Sequence, residues 1–539
     1  MKKLFRPLAV ATAIGVTGIA GTNLLLAQEK QLPAEKPLRA LPDDLKRVLP
    51  AEPPAVAPGR PARGLDDVKP VRGIDDLKGR VDRVPGQGAG GAADSKPDTT
   101  IAPVKVGDTI AKTEFAVKPK DLSPAVKKGL EYLVKGQQDD GGWNQGGGWR
   151  NGTGGGRVEG AKVEDPSDIG NTCFVLLALL RAGSTATEGE YKDAVHKGLK
   201  FVINRVEKAD KDSLYITDVR GTQLQSKIGN YVDTFLVNLV LAEFRGKSGD
   251  QEKALVAALE KTMTKIVRHQ TADGGFAGNN GWATTLSMGI CNKSLVRAKE
   301  RGAVVDDKAL ARVLAQAKSS VTNTAPAAVA ADPKAGPAAV AAAPAMAGKA
   351  GDAGVALYRV GQGAGNYQDV VNSLRLDAEK AKQVLADAKA PKDERDRAEK
   401  KLQEVKEAEV QNDKVQADLA RNVKNDNFVA GFGNNGGEEF LSFMNISETL
   451  VLLGGKDWDD WDAKMVKGLE KAQDKDGSWQ GHHCITGKTF CTAGALLVLM
   501  ADRTPFPTEV IKAAREKKEN KPVEPKTGET QPGGPAPAK

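Results

Sequence analysis

The chain has 539 residues, a net charge of +8 and a pI of about 9.0. No basic block carries interleaved aromatic residues, so the charge does not indicate nucleic-acid binding and we exclude nucleic acid as a partner. Four cysteines in a chain of this length are too few for a disulfide scaffold.

Residues 1–27 are typical of an export signal. Basic residues precede an uncharged apolar run, and cleavage after Ala20 or Ala27 fits the pattern. The alternative is an uncleaved anchor, because the run is almost long enough to span a bilayer. We favour cleavage, since Gly, Thr and Asn dilute the run. No later segment has the composition of a membrane span, so we expect an exported bacterial protein, periplasmic or extracellular.

Residues 28–120 and 507–539 are rich in Pro, Ala, Gly and charged residues and poor in aromatic residues. Such segments cannot bury enough apolar surface to offset the loss of chain entropy. We therefore expect a disordered linker after the signal and a disordered tail at the end of the chain.

One seven-residue motif, Gln-x-x-Asp-Gly-small-aromatic, occurs three times. An aliphatic residue lies four positions before each Gln, one helical turn back. Asp-Gly is a turn signal, so each copy is predicted to end an amphipathic helix. The copies pair Gln137 with Trp143, Gln270 with Phe276 and Gln473 with Trp479.

Polar and apolar helices are predicted to alternate. The polar ones are 124–136, 190–207, 251–269 and 459–473, and the apolar ones are 168–180, 230–244, 282–290, 445–453 and 487–500. Helices that are apolar nearly all round are buried ones. With two weaker candidates, 306–318 and 351–362, the pattern predicts about six hairpins in two concentric layers. The predicted fold is therefore all-α, an α/α toroid built from residues 121–320 and 425–506.

An insertion separates the two parts of the predicted toroid. Residues 321–350 are an Ala/Pro-rich spacer, and residues 351–424 are predicted to be helical. Within them, residues 368–424 carry thirteen basic and thirteen acidic side chains. We predict a coiled-coil-like helical hairpin that projects from the body. A solvated spacer that docks on the body is the alternative.

The repeated motif resembles the QW repeat of squalene and terpene cyclases, and protein prenyltransferases share the same ring. The resemblance covers residues 121–320 and 425–505. It implies an α/α toroid in which each motif Gln caps a helix end and stacks on the aromatic ring. It does not imply an activity, because ring folds host unrelated functions.

The resemblance also shows which catalytic groups are missing. Triterpene cyclases use an acid in Asp-x-Asp-Asp-Thr-Ala; here Asp168 and Thr172 match, but Gly170 replaces the middle acid. Prenyltransferases hold zinc with Asp, Cys and His, and the matching His position is Lys488. We therefore favour a binding or interaction toroid without a cofactor. Its partner would be a small molecule, lipid, glycan or envelope protein.

Three acids remain as catalytic candidates. Asp168, Asp233 and Glu448 lie at or near the starts of apolar helices, which in a toroid point toward one mouth. The alternative function is thus an enzyme, terpene cyclase-like or a glycan lyase or hydrolase, that uses them as acid–base groups. Helix capping and the helix dipole also explain acids at these positions, and they explain Glu438 and Glu439 in the same way.

The densest group of soft ligands is His482, His483, Cys484 and Cys491. A transition metal such as zinc takes such ligands, but the spacing is not a recognised zinc motif. We favour a polar loop beside a buried cysteine. A disulfide between Cys484 and Cys491 is a further alternative.

Overall fold

The computed structural model describes residues 96–149, 157–158, 165–322, 351–431 and 436–519. The predicted signal and most of the predicted linker, spacer and tail lie outside these residues. The described residues form fifteen helices and six strands of two or three residues, which confirms the predicted all-α class. The first residues of the predicted tail form the last of these helices.

The helices are α1 Pro124–Lys135, α2 Ile169–Arg181, α3 Lys192–Lys208, α4 Gln223–Ile228, α5 Val232–Glu243, α6 Glu252–His269, α7 Thr284–Glu300, α8 Asp307–Thr322, α9 Ala356–Ala386, α10 Lys392–Asn422, α11 Asp426–Val429, α12 Gly437–Leu453, α13 Lys456–Ala472, α14 Lys488–Leu499 and α15 Thr508–Glu519. The strands are β1 Lys105–Val106, β2 Thr113–Phe115, β3 Gly148–Trp149, β4 Arg157–Val158, β5 Ala303–Val304 and β6 Pro505–Pro507. They pair antiparallel as β1–β5, β2–β6 and β3–β4.

The helices are of two kinds. Helix α1 starts at Ser123, whose hydroxyl accepts a hydrogen bond from the Val126 amide, with Pro124 as its first residue. It buries a single face, whereas α5 is buried along all twelve of its residues. Helices α3, α6 and α13 resemble α1, and α2, α12 and α14 resemble α5.

Six helices contact one another in a closed cycle. Helix α2 packs against α5, α5 against α7, α7 against α9, α9 against α12, α12 against α14, and α14 against α2. The amphipathic helices pack onto members of this cycle: α1 onto α14, α3 onto α2, α6 onto α5, α8 onto α9, and α13 onto α12. Each helix of the cycle therefore buries most of its surface against other helices.

The motif tryptophan joins two helices. The Trp143 indole Nε1 donates to the Leu133 carbonyl (2.6 Å) near the end of α1, and the Trp143 amide donates to Thr172 Oγ1 (2.9 Å) on α2. The third copy repeats both contacts with Trp479, Leu469 and Thr492, at 2.8 and 2.9 Å. The tryptophan thus satisfies a C-terminal carbonyl of one helix and links it to the next.

The motif glutamine reaches the next amphipathic helix, which differs from the helix-capping role that the resemblance implies. Gln137 Nε2 donates to the carbonyls of Gly141 and Ala194, both at 2.9 Å. In the third copy Gln473 donates in the same way to Gly477 and Ala125, at 2.9 and 2.8 Å. In the second copy the buried Gln270 side chain has no hydrogen-bond partner among the described residues, although Gln270 pairs with Phe276 through the backbone.

Each motif also places a glycine against that next helix. The three glycines have φ values of +84° to +90°, and a β-carbon on them would lie 2.6–3.1 Å from a carbonyl oxygen. The pairs are Gly141 with Lys197 on α3, Gly274 with Arg312 on α8, and Gly477 with Lys128 on α1. The third motif, near the end of the chain, therefore docks on the first helix.

Residues 96–120, which the sequence places in the linker, pack on the helices. The Val104 amide donates to Thr264 Oγ1 (2.9 Å), and the Val106 amide donates to Glu260 Oε1 (3.0 Å), both on α6. Strands β1 and β2 pair with β5 and β6. Main-chain hydrogen bonds hold this segment, and Val104 is its one buried side chain. Such contacts leave no periodic pattern for a sequence to reveal.

The predicted hairpin corresponds to α9 and α10, but α9 belongs partly to the closed cycle. Its residues 361–375 are buried, and α9 packs on α7 and α12. The buried amides pair with one another: Gln362 Nε2 donates to Asn366 Oδ1 (3.0 Å), and Asn445 Nδ2 donates to Gln362 Oε1 (2.7 Å). From the sequence alone, a helix rich in amide side chains is expected at the surface, because the sequence does not reveal the partners that would satisfy these amides when buried.

We expect Gly477→Ala to destabilise the protein more than Gly183→Ala. Both glycines have positive φ (+90° and +95°), which costs an alanine roughly 1 kcal/mol at either position. Only at Gly477 would the β-carbon also meet a carbonyl oxygen, because Gly183 has open space around it. The total cost at Gly477 should be about 3 kcal/mol. Urea unfolding followed by circular dichroism measures both, and equal losses would contradict close docking on α1.

Candidate functional site

Two of the predicted acids lie together at the N-terminal ends of α2 and α5. Asp168 caps α2, and its carboxylate accepts hydrogen bonds from the amide and the side chain of Asn171, both at 2.8 Å. Asp233 lies in the first turn of α5 and accepts from Gln225 Nε2 (2.6 Å). Its other oxygen, Oδ1, is buried without a hydrogen-bond partner among the described residues.

Gly170 separates these two carboxylates. A β-carbon at Gly170 would lie 2.9 Å from Asp233 Oδ1 and 3.6 Å from Asp168 Oδ1. Burial, with the neighbouring Asp233, raises the pKa of Asp168 to about 7, although its hydrogen bonds to Asn171 oppose the shift. Burial raises the pKa of Asp233 to about 6. Near neutral pH each of these two carboxyls is therefore protonated for part of the time.

Glu448 belongs to a different environment. It lies toward the C-terminal end of α12 and pairs with Arg181 (2.9 Å) and Lys293 (2.7 Å). Burial alone would raise its pKa, but these two cations outweigh it and hold the pKa at about 2. Glu448 lines a cavity among the helices of the closed cycle, and neither Asp168 nor Asp233 lines it. The three predicted acids therefore do not converge on one pocket.

A cavity of about 740 Å³ lies among the helices of the closed cycle. Five of them supply apolar side chains to its wall: Phe174, Leu177, Leu236, Leu239, Ile290, Met444 and Leu497. Residues 113–119, at and after β2, border it on one side. A mostly apolar cavity of this volume with a few polar groups is the usual form of a small-molecule site.

Five charged side chains of the cavity come from the C-terminal halves of cycle helices: Arg181, Glu243, Lys293, Arg297 and Glu448. Arg181 and Arg297 lie in the last turns of α2 and α7, and Glu243 is the last residue of α5. Arg297 pairs with Glu300 (2.7 Å) and Glu243 (3.3 Å). Asp168 lies near Asp233 at the N-terminal ends of α2 and α5, and Arg181 lies near Glu243 at their C-terminal ends, so α2 and α5 run parallel.

A second group of chemically active side chains lies at the start of α12. One ligand atom from each of Glu438, His483 and Cys484 lies within 4.8 Å of the others. Of the four predicted metal ligands, the structure brings His483 and Cys484 together and leaves His482 and Cys491 outside this group. All four cysteines are free thiols, so the alternative of a Cys484–Cys491 disulfide is wrong.

The group has features of a site rather than of a surface loop. Glu438 is fully buried, and its Oε1 has no hydrogen-bond partner among the described residues. Burial and the adjacent Glu439 raise the pKa of Glu438 to about 7. Burial and Glu438 raise the pKa of Cys484 to about 12. Cys484 also has φ of +58°, a costly backbone conformation for a residue other than glycine.

Sequence reasoning missed Glu438 as a partner of His483, because 45 positions separate them and a capping role explains Glu438 equally well. The one sequence signal for Glu438 was its position next to Glu439 at the start of a predicted helix. Lys488, which occupies the prenyltransferase His position, pairs with Asp474 (3.2 Å) and Asp476 (3.0 Å) of the third motif. Lys488 thus takes part in the motif's own contacts.

Comparison of the chain with protein-family models, curated proteins and solved structures found no match. Within the residues that the structure describes, every helix is too short or too polar to cross a membrane. The site is therefore interpreted from its own geometry.

We expect Asp233→Asn to flatten the fall in stability between about pH 4 and pH 7. Both carboxyls have folded-state pKa values above the ~3.9 of an unfolded aspartate, so the folded protein holds extra protons in this window. Stability should fall as pH rises from about 4 to 7. The substitution should remove the titration of the Asp233 carboxyl and its repulsion of the Asp168 carboxylate. Guanidinium unfolding at pH 4.5, 6 and 7.5 measures the effect.

The matched control is Asp193→Asn, an exposed acid in the first turn of α3. Its pH profile should follow that of the unaltered protein. An Asp233→Asn profile that also follows it would contradict the raised pKa of Asp233.

Proposed function

We propose that this chain is an exported α/α toroid that binds a small apolar ligand in its central cavity. The closed cycle of α2, α5, α7, α9, α12 and α14 supports the ring, with amphipathic helices packed onto it. The contact of the third motif with α1 supports its closure. Export rests on the composition of residues 1–27.

The observation that carries the binding function is the cavity of about 740 Å³, walled by apolar side chains of five cycle helices. Enclosure of this kind removes most of a small ligand's surface from water, and that transfer stabilises the complex by roughly 25 cal/mol per Å² of apolar surface. A small molecule or a lipid chain suits these walls better than a glycan, whose hydroxyl groups would lack partners there.

The enzyme alternative has weaker support. A cyclase-like or glycan-directed enzyme needs acids that meet at one substrate. Glu448 lines the cavity but is held by two cations, and Asp168 and Asp233 lie at the other ends of their helices. Gly170 stands where the cyclase resemblance requires an acid.

We expect Leu177→Trp to abolish binding of a neutral apolar probe. Leu177 lies on the cavity wall and is partly exposed to it, so an indole there would occupy the space that a ligand needs. Titration with N-phenyl-1-naphthylamine, whose fluorescence rises in apolar sites, should show saturable binding that weakens at least about tenfold in the variant.

Val410→Trp is the control, because Val410 is exposed on α10 and lies outside the cavity. It should bind the probe as the unaltered protein does. Absence of saturable binding in the unaltered protein, or full binding by Leu177→Trp, would refute the cavity as the ligand site.

A second function, transition-metal binding, is favoured by the buried, unpartnered Glu438 Oε1 beside His483 and Cys484. Carboxylate, imidazole and thiolate are together a ligand set for Zn²⁺, and three protein ligands leave a fourth position open. These residues would tie α12 to the loop that precedes α14. A bound cation would also compensate the buried carboxylate of Glu438.

We expect the protein to bind one Co²⁺, used as a spectroscopic substitute for Zn²⁺, with a thiolate charge-transfer band. His483→Ala and Cys484→Ser should each weaken binding by more than about tenfold, since each removes a ligand. His482→Ala is the matched control and should bind normally. Absence of the band, or an equal loss in His482→Ala, would contradict the site.

A further inference from the structure

The charged side chains around the C-terminal ends of the cycle helices do not balance. Apart from the self-balanced pairs Arg245–Glu252 and Lys299–Asp377, five basic and four acidic side chains there are linked by ion pairs or by the contact of Lys247 with Glu243. The basic ones are Arg181, Lys247, Lys293, Arg297 and Arg301, and the acidic ones are Glu243, Glu300, Asp369 and Glu448. Five cations against four carboxylates leave one positive charge in excess.

Four of the cations have ion-pair partners. Arg181 pairs with Glu448, and Lys293 pairs with Glu448 and with Asp369 (3.2 Å). The remaining pairs are Arg297 with Glu300 and Glu243, and Arg301 with Glu243 at 3.8 Å. These pairs use all four carboxylates.

Of these five cations, Lys247 is the one without an ion pair to a described residue. It follows α5, lines the cavity and is half-buried, and its Nζ donates to the backbone carbonyl of Glu243 at 3.0 Å. Burial lowers the pKa of Lys247; Glu243 opposes this, and the neighbouring arginines Arg301, Arg181 and Arg297 reinforce it. A cation in such a place destabilises the folded protein unless an anion accompanies it.

We propose that the cavity binds an amphiphilic monoanion, an aliphatic carboxylate, with its carboxylate at Lys247 and its chain along the apolar wall. This inference rests on the cavity being a ligand site, as proposed above. The apolar wall matches the chain, and the ammonium of Lys247 matches the head group.

The size of the charge excess favours a monoanion over a phosphate ester or a diphosphate. One carboxylate would complete the charge balance of this linked group, whereas a dianion would leave the group with a negative charge in excess in a region of low dielectric. Lys118, at the cavity rim, is exposed, so water screens its charge. Arg503, also at the rim, donates to the Lys120 carbonyl (2.6 Å) in an exposed contact, so water screens its charge as well.

The test is displacement of N-phenyl-1-naphthylamine from the full chain by decanoate, 1-decanol and decyl phosphate at pH 8. These ligands share one chain length and differ in head-group charge. We expect decanoate to displace the probe at least about tenfold more effectively than 1-decanol. We also expect it to outperform decyl phosphate, which is a dianion at this pH.

Lys247→Met should remove the preference and leave 1-decanol binding unchanged. Lys247→Arg should keep the preference, and Lys118→Met is the control for a lysine at the exposed rim. Because Lys247→Met removes an uncompensated charge, it should melt no lower than the unaltered protein, so loss of fold would not explain the result.

Equal displacement by decanoate and 1-decanol would overturn the monoanion site while leaving the cavity as an apolar ligand site. Tighter binding of decyl phosphate would overturn the inference of a single charge. A preference that survives in Lys247→Met would overturn the role of Lys247. Failure of the probe itself to bind would refute the proposed function instead.

Discussion

The architecture depends on one kind of contact, a glycine turn pressed against the backbone of the next amphipathic helix. At Gly141, Gly274 and Gly477 the left-handed backbone and the missing side chain let the turn come within contact distance of a helical carbonyl. The motif tryptophan then holds the end of one helix to the following buried helix. Because the last copy reaches α1, the first described helix is held against the turn that lies between α13 and α14.

The two ends of the parallel helices of the cycle differ in charge: acids lie at the N-terminal ends, whereas cations paired with acids lie around the C-terminal ends. Their N-terminal ends carry Asp168, Asp233, Glu438 and Glu439, and the C-terminal ends of α2 and α7 carry Arg181 and Arg297. The helix dipole favours this arrangement, since acids are stabilised at N-termini and bases at C-termini. The acids at one end and the cations beside the cavity at the other thus have a structural origin. Two details go beyond this explanation: Glu438 Oε1 has no hydrogen-bond partner among the described residues, and the Lys247 ammonium has no ion pair among them.

The repeated motif allowed the all-α class and most helices to be predicted, because glycine, turn and periodic apolar residues are local signals. Three features left no such signal. Residues 96–120 are held mainly by main-chain hydrogen bonds to α6 and to distant strands. The first half of α9 is buried through amide pairs such as Gln362 with Asn445, whose polarity indicated a surface. Among the site residues, Asp168, Asp233, His483 and Cys484 were identified from the sequence. Which of them lie together could not be predicted, since that depends on contacts between distant positions.

Lys247 and Glu438 also show how a ligand site is distinguished from buried polar side chains that only stabilise the fold. Glu448 is as deeply buried as many catalytic acids, yet Arg181 and Lys293 account for its charge, so its contacts need no ligand to explain them. Asp168 likewise has both of its oxygens occupied by Asn171. A methionine at position 247 would fill similar space without the cost of burying a charge. A neutral side chain at position 438 would likewise avoid the cost of burying a carboxylate. Groups that cost stability and keep an unpaired charge or an unused acceptor within the protein are the ones whose chemistry a ligand would complete.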